Sequence, residues 1–145
     1  MGKKPRGLFA GRALLKRKHK FRFSKKGALH KFLRDKWKFD PLEGAPMAEG
    51  IVLELRPNTP KKPSSGNRQC AVVSLKKNNI PITAYIPYPG GKSFIEEHNT
   101  VVVERIGGAQ HGARGDLPGV KFKIIKVNGV PLKDLVSGKK QKPVR

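Results

Sequence analysis

The sequence predicts a mainly β chain: a five-stranded OB-like barrel with a long basic, partly helical N-terminal extension and a short basic C-terminal tail. Three observations predict it. Five short runs rich in β-branched and aromatic residues follow one another within residues 51–130, with turn signals between them. The charge lies mostly upstream of those runs: residues 1–38 hold 15 basic residues and one acid, against 17 and nine in the other 107. A turn-forming stretch, FDPLEGAPMAEG (39–50), separates the two parts with Pro41, Gly44, Pro46 and Gly50.

In the extension (1–38), SKKGALHKFLRDKWKF places Leu29, Phe32, Leu33 and Trp37 at helical spacing. Ser24 is the expected N-cap of that helix. An earlier segment, GLFAGRALLKRKHKF, is a second helix candidate. Neither holds enough apolar residues for a core, so the extension is expected to order against a partner. The expected strands are IVLEL (51–55), QCAVVSL (69–75), IPITAYI (80–86), TVVVERI (100–106) and VKFKIIKV (120–127). In the last, Val120, Phe122 and Ile124 alternate with Lys121 and Lys123, as one buried face requires. KKNN between the second and third runs is a hairpin turn signal. Five short strands cover their edges by closing into a barrel. Strand count alone leaves an SH3-like barrel or a sandwich open. The tail, 131–145, ends in the basic SGKKQKPVR and is expected to extend from the body.

Composition narrows the partners. The formal net charge is +22 with a pI near 10.6, and a chain so self-repelling calls for a polyanion. A spanning helix needs about 20 apolar residues; the longest uncharged run, Asn78–Gly91, is cut by Pro81, Pro87 and Pro89. The amino terminus lacks the apolar core of a signal peptide. It also lacks the Arg- and Ser-rich bias of a mitochondrial presequence, and its apolar stripe is too short for a membrane-surface helix. The single cysteine, Cys70, excludes an internal disulfide and reads as a small buried apolar residue in a reducing cytoplasm.

Catalytic constellations are weak. Glu96, Glu97 and His98 are consecutive, so an extended chain would point them to opposite faces. His111 and Asp116 have no nucleophile arranged with them, and Arg114-Gly115-Asp116 matches the integrin tripeptide through three residues alone. There is no P-loop or dinucleotide fingerprint. No enzyme activity, metal or cofactor is expected. Two constrained loops remain. TPKKPSSGNRQ (59–69) presents lysines and hydroxyls in a shape limited by Pro60 and Pro63. GGAQHGARGDLPGV (107–120) is dense in glycine, which lets backbone approach an RNA surface closely, while Arg114 supplies a phosphate contact.

The strings TPKKPSSGNRQC, ITAYIP and GDLPGVKFKIIKV, in that order along nearly the whole chain, resemble a known family. It is the universal decoding-centre protein family of the small ribosomal subunit, S-twelve (S-twenty-three in eukaryotes). GLFAGR, DPLEGAPMAEGIVLE and VNGVPLKDLVSGKKQKPVR give the chain an archaeal look, with the eukaryotic cytosolic form next. The resemblance implies an OB-like barrel with a basic extension threading through ribosomal RNA. The extension would bind through Lys3, Lys4, Arg6, Arg12, Lys16, Arg17, Lys18, Lys20, Arg22, Lys25 and Lys26.

The resemblance also implies that the first loop lies against the RNA that inspects codon–anticodon pairs in the A site. The family's loop reads Pro-Asn-Ser-Ala after its lysines. Here Pro63 and Ser65 match, Ser64 replaces the asparagine and Gly66 the alanine. Lys61 matches the lysine at which miscoding-antibiotic sensitivity is commonly set, and Lys62 is bacterial in character. Serine offers one short hydroxyl where asparagine offers an acceptor and an amide donor pair, so the contact geometry must differ. In the second loop Asp116, Leu117, Pro118 and Gly119 match the decoding-side turn, with Arg114 beside them. Pro63 and Asp116 correspond to positions hydroxylated in some eukaryotes and methylthiolated in some bacteria, respectively.

The expected partners are therefore small-subunit ribosomal RNA, neighbouring ribosomal proteins, and A-site tRNA and mRNA in proximity. No membrane and no stable homo-oligomer are expected. The rival reading is a free single-strand-binding or chaperone module, which would stack bases on exposed strand aromatics. The strands offer Tyr85 and Phe122, too few to favour it.

Overall fold

A computed structural model describes residues 6–108, 112–113 and 115–143, without the side chains of residues 36 and 37. The chain divides into two compact units, Met1–Gly44 and Ala45–Arg145.

The first unit holds three helices: α1 (Ala10–Ser24), α2 (Lys26–Phe32) and α3 (Asp35–Phe39). Neither α1 nor α2 buries a residue. Their helicity rests on local propensity and on edge contacts such as the Phe23–Phe32 ring pair at 5.0 Å. Two sequence expectations are corrected here. Ser24 does not cap α2: its hydroxyl donates to the Phe21 carbonyl at 2.7 Å, and it closes α1. The expected stripe is also interrupted, because Arg34 turns left-handed (φ 53°) between α2 and α3. Leu29, Phe32 and Leu33 are all exposed, and the Trp37 side chain lies outside the described residues. After α3, the Asp40 carboxylate accepts the Leu42 and Gly44 N–H groups at 3.2 and 3.1 Å, which fixes the turn that follows.

The second unit is the expected barrel. Its strands are β1 (Met47–Asn58), β2 (Arg68–Leu75), β3 (Pro81–Tyr85), β4 (Thr100–Arg105), β5 (Phe122–Val127) and the two-residue β6 (Val130–Pro131). The order β3-β2-β1-β4-β5 is antiparallel throughout, and a parallel β3–β5 pairing closes the ring. β6 adds to the outside of β5. Inward positions alternate along the strands: Ala71, Val73 and Leu75; Ile82 and Ala84; Val101 and Val103; Phe122 and Ile124. The KKNN segment forms the expected hairpin turn, with Asn79 at φ 54° and its N–H donating to the Leu75 carbonyl.

Three features depart from the sequence reading. β1 begins at Met47, inside the expected connecting segment, because Met47 to Ile51 pair with β4. β1 and β5 each carry one extra residue, Leu53 and Ile125, where the register with the neighbouring strand slips. These bulges let the long strands bend around the barrel. The tail does not simply extend: α4 (Leu132–Val136) buries Leu132 and Leu135. Lys139 and Lys140 N–H groups then return to the Asp134 carbonyl, and Lys142 pairs with Glu96 at 3.0 Å.

Gly50 sits where β1 pairs with both β2 and β4. A Cβ there would collide with Val73 Cγ1 and lie 2.6 Å from the Ser74 carbonyl oxygen. Gly50→Ala should therefore destabilise the barrel by about 1–3 kcal/mol. Gly66→Ala, with open space around the built Cβ, should change stability little. Denaturant unfolding of the full chain checks both.

Candidate nucleic-acid interface

β1 and β2 are joined by residues 59–67, and β4 and β5 by residues 106–121. In the first loop Pro60 is buried at the foot, while Lys61, Lys62, Pro63, Ser64 and Ser65 are all exposed. The Ser64 N–H donates to the Lys61 carbonyl at 3.1 Å across a cis Lys62–Pro63 peptide. Neither lysine makes an ion pair among the described residues.

The second loop comes to lie beside the first. Arg68, the first residue of β2, donates through Nε and Nη2 to one Asp116 carboxylate oxygen at 3.2 and 2.8 Å. Asn58, the last residue of β1, donates its amide N–H to the Pro118 carbonyl at 3.4 Å. Beneath these polar contacts Leu117 packs with Cys70 and Val120, flanked by Tyr85 and Ile106. Leu117 is thus the loop's apolar anchor, 7% exposed, rather than part of its outer surface. Gly119 turns at φ 74° and Gly115 at φ 67°, conformations that carry no Cβ penalty in glycine. Gly108 packs so closely on the carbonyls of Gly112 and Ala113 that any side chain there would clash.

Electrostatics follow the geometry. The hydrogen bond from Arg68 holds the Asp116 carboxyl below the usual carboxylate range, and the same bond raises the Arg68 pKa. Burial pushes the Cys70 thiol up to about 11, so it is an inert packing group, as the sequence indicated.

Asn58 and Arg68 were not legible as site residues in the sequence. The signal was Asp116, a carboxylate in a loop otherwise suited to RNA, which needs a cationic neighbour to be tolerated there. Of the named extension cations, Arg6, Arg12, Lys16, Arg17, Lys18, Lys20, Arg22, Lys25 and Lys26 are exposed; Lys3 and Lys4 lie outside the described residues, as do Arg114 and His111. Glu96, Glu97 and His98 form no converging site: Glu96 pairs with Lys142, and the His98 N–H donates to the Val52 carbonyl. Among the described residues no group of three His, Cys, Asp or Glu side chains could hold a metal ion, and no helix is long and apolar enough to cross a membrane.

The lowered Asp116 pKa carries a sign. A depressed carboxyl contributes stability above its unfolded pKa, and that contribution is lost as pH falls through the folded value. Arg68→Ala should return the Asp116 titration toward the ordinary carboxylate range, and a carbon-detected NMR titration of the full chain reads the shift.

A family model described as Ribosomal protein S12/S23 matches residues 35–145. The chain belongs to that family. It is a structural component of the small ribosomal subunit, not an enzyme, and binds ribosomal RNA alongside other ribosomal proteins.

Proposed function

We propose that within the small subunit the two joined loops support the RNA arrangement that accepts a cognate tRNA in the A site. The supporting observation is the joint itself. Arg68 with Asp116, and Asn58 with Pro118, tie an exposed cationic turn to a glycine-rich loop through side chains that start on strands. A surface built this way presents Lys61 and Lys62 from a fixed position, and the protein's role is positional: cations neutralise phosphates while RNA discriminates between codons. Ser65 and Ser64 add short hydroxyl contacts, and Pro63 limits the turn. Proximity to mRNA and A-site tRNA follows from this placement of the loops and belongs to the proposal.

The extension serves a different purpose. Its first two helices, α1 and α2, bury nothing of their own, so its charge is best used by laying it along RNA, where it gains the order that packing does not supply. Each neutralised phosphate lowers the slope of log affinity against log salt by about 0.7–0.9. Deleting residues 1–38 should therefore flatten the salt dependence for naked ribosomal RNA far more than deleting residues 139–145; equal slopes would count against an RNA-threading extension.

Lys61→Thr removes the charge at the turn and should make tRNA acceptance more demanding. Ribosomes carrying it are expected to misread near-cognate reporter codons several-fold less and to elongate more slowly. Lys61→Arg should do less, because it keeps the charge while changing a compact ammonium into a planar guanidinium. Unchanged misreading and elongation with Lys61→Thr would remove the decoding role from this loop.

A further inference from the structure

Beside the first loop, on the barrel wall, lies a hollow of about 250 Å³ that none of the roles above uses. We propose that it takes one unstacked nucleotide of ribosomal RNA, with the base against Tyr88 and the phosphate at Lys92. The inference rests on the ribosomal RNA binding of the family and is independent of the decoding role.

The lining carries the argument. Asn67, Arg68, Gln69, Tyr85, Tyr88 and Lys92 surround the hollow. The exposed Tyr88 offers a π-face, two amide side chains offer both donors and acceptors to a base edge, and Lys92 suits phosphate. The volume falls below the range of about 300–1,000 Å³ that drug-sized ligands occupy. It fits a single base better than a larger molecule. Arg68 enters this wall already fixed, since its guanidinium is held by Asp116.

Tyr88 is the second observation. The residue is 46% exposed although its chain neighbours are two prolines. Pro89 disfavours the right-handed helical region for the residue before it, and Tyr88 takes φ 70°, an outlying conformation for a bulky side chain. The segment after it explains how that conformation is kept. Tyr88, Pro89, Gly90 and Gly91 form a turn closed by the Gly91 N–H on the Tyr88 carbonyl at 3.1 Å. Gly90 stands at φ 80°, ψ −6°, the glycine-requiring third position of a type II turn with proline before it. A short 3-10 helix, Gly91–Phe94, then carries Lys92 to the rim. The chain therefore holds a surface aromatic in a costly backbone conformation next to cations, and an exposed ring contributes little to the barrel's own packing. Stacking is the use that fits it.

The test uses the full chain with two probes, a short single-stranded RNA and the same sugar-phosphate backbone without bases. Tyr88→Ala should weaken binding of the base-bearing strand at least about 5-fold and leave the abasic strand unaffected. Tyr88→Phe should keep wild-type affinity for both. Lys92→Gln should weaken both probes, and an unchanged melting temperature should accompany every variant. Equal effects of Tyr88→Ala on the two probes, or none on either, overturn the site. The source of the nucleotide is read by ultraviolet crosslinking in assembled small subunits. A link from peptide 85–92 to ribosomal RNA, lost in Tyr88→Ala, supports the proposal; a link to tRNA or mRNA alone, or no link, overturns it. None of these outcomes depends on misreading by Lys61 variants, so failure here and failure of the decoding role remain distinct.

Discussion

Two residue pairs close this barrel: Ala84 with Phe122 and Tyr85 with Lys123, the parallel contact between β3 and β5. Every other neighbour in the ring is antiparallel and joined to its partner without this contact. The closure decides where the second loop must end. Because Phe122 is pinned beside Ala84, residues 115–121 arrive next to the β2–β3 ladder, where Cys70 faces Tyr85. Leu117 and Val120 then bury against Cys70, and Asp116 falls within reach of Arg68. A sheet left open at β3 would have no reason to bring two loops separated by about fifty residues of chain to one surface. Closure also removes the exposed edges that short strands otherwise present.

The strands were legible because each is a short β-branched run whose partners reinforce its own propensity. What the sequence concealed were features set by neighbours. The extra residues Leu53 and Ile125 look like ordinary strand positions, and the slip exists only in the pairing with Val72–Val73 and Val102–Val103. Met47 to Gly50 read as a turn because of composition, yet β4 recruits them as strand, and Gly50 is needed there for the closeness of Val73. Ser24 shows the limit of capping rules: a serine between two helical segments can close the first as readily as open the second, and here its hydroxyl donates to the Phe21 carbonyl. In the candidate site, Lys61 to Ser65 and Asp116 to Gly119 were singled out through turn chemistry and family likeness. Arg68 and Asn58 were hidden because their partners lie 48 and 60 residues away. Tyr88 was hidden because it belongs to no strand.

Acidic residues are scarce in this chain, and the structure spends several on internal geometry. Asp35 holds His30, Glu104 holds Lys123, Asp134 and Glu96 hold Lys140 and Lys142, and Asp40 fixes backbone N–H groups. Surface pairs of this sort add little stability singly. Their effect here is to assign work among the cations. A lysine with a carboxylate neighbour is partly neutralised and serves shape, whereas Lys61 and Lys62 make no ion pair among the described residues.

Asp116 is the informative case, since a carboxylate on a surface proposed to face RNA should repel it. Its pairing with Arg68 resolves the conflict at the level of charge, and does something further at the level of position. Arg68 donates from two nitrogens of a planar group, which restricts rotation about the pair more than a single ammonium contact would. Arg68 is also among the residues that line the hollow beside Tyr88. One residue thus ties the second loop on one side and lines the hollow on the other. In the two proposals, one surface meets phosphate through ammonium groups and the other meets a base through planar groups. The joint between the two loops is set by strand-borne side chains, Asn58 and Arg68, whereas Tyr88 and Lys92 are placed by the turn and the 3-10 helix that follow β3.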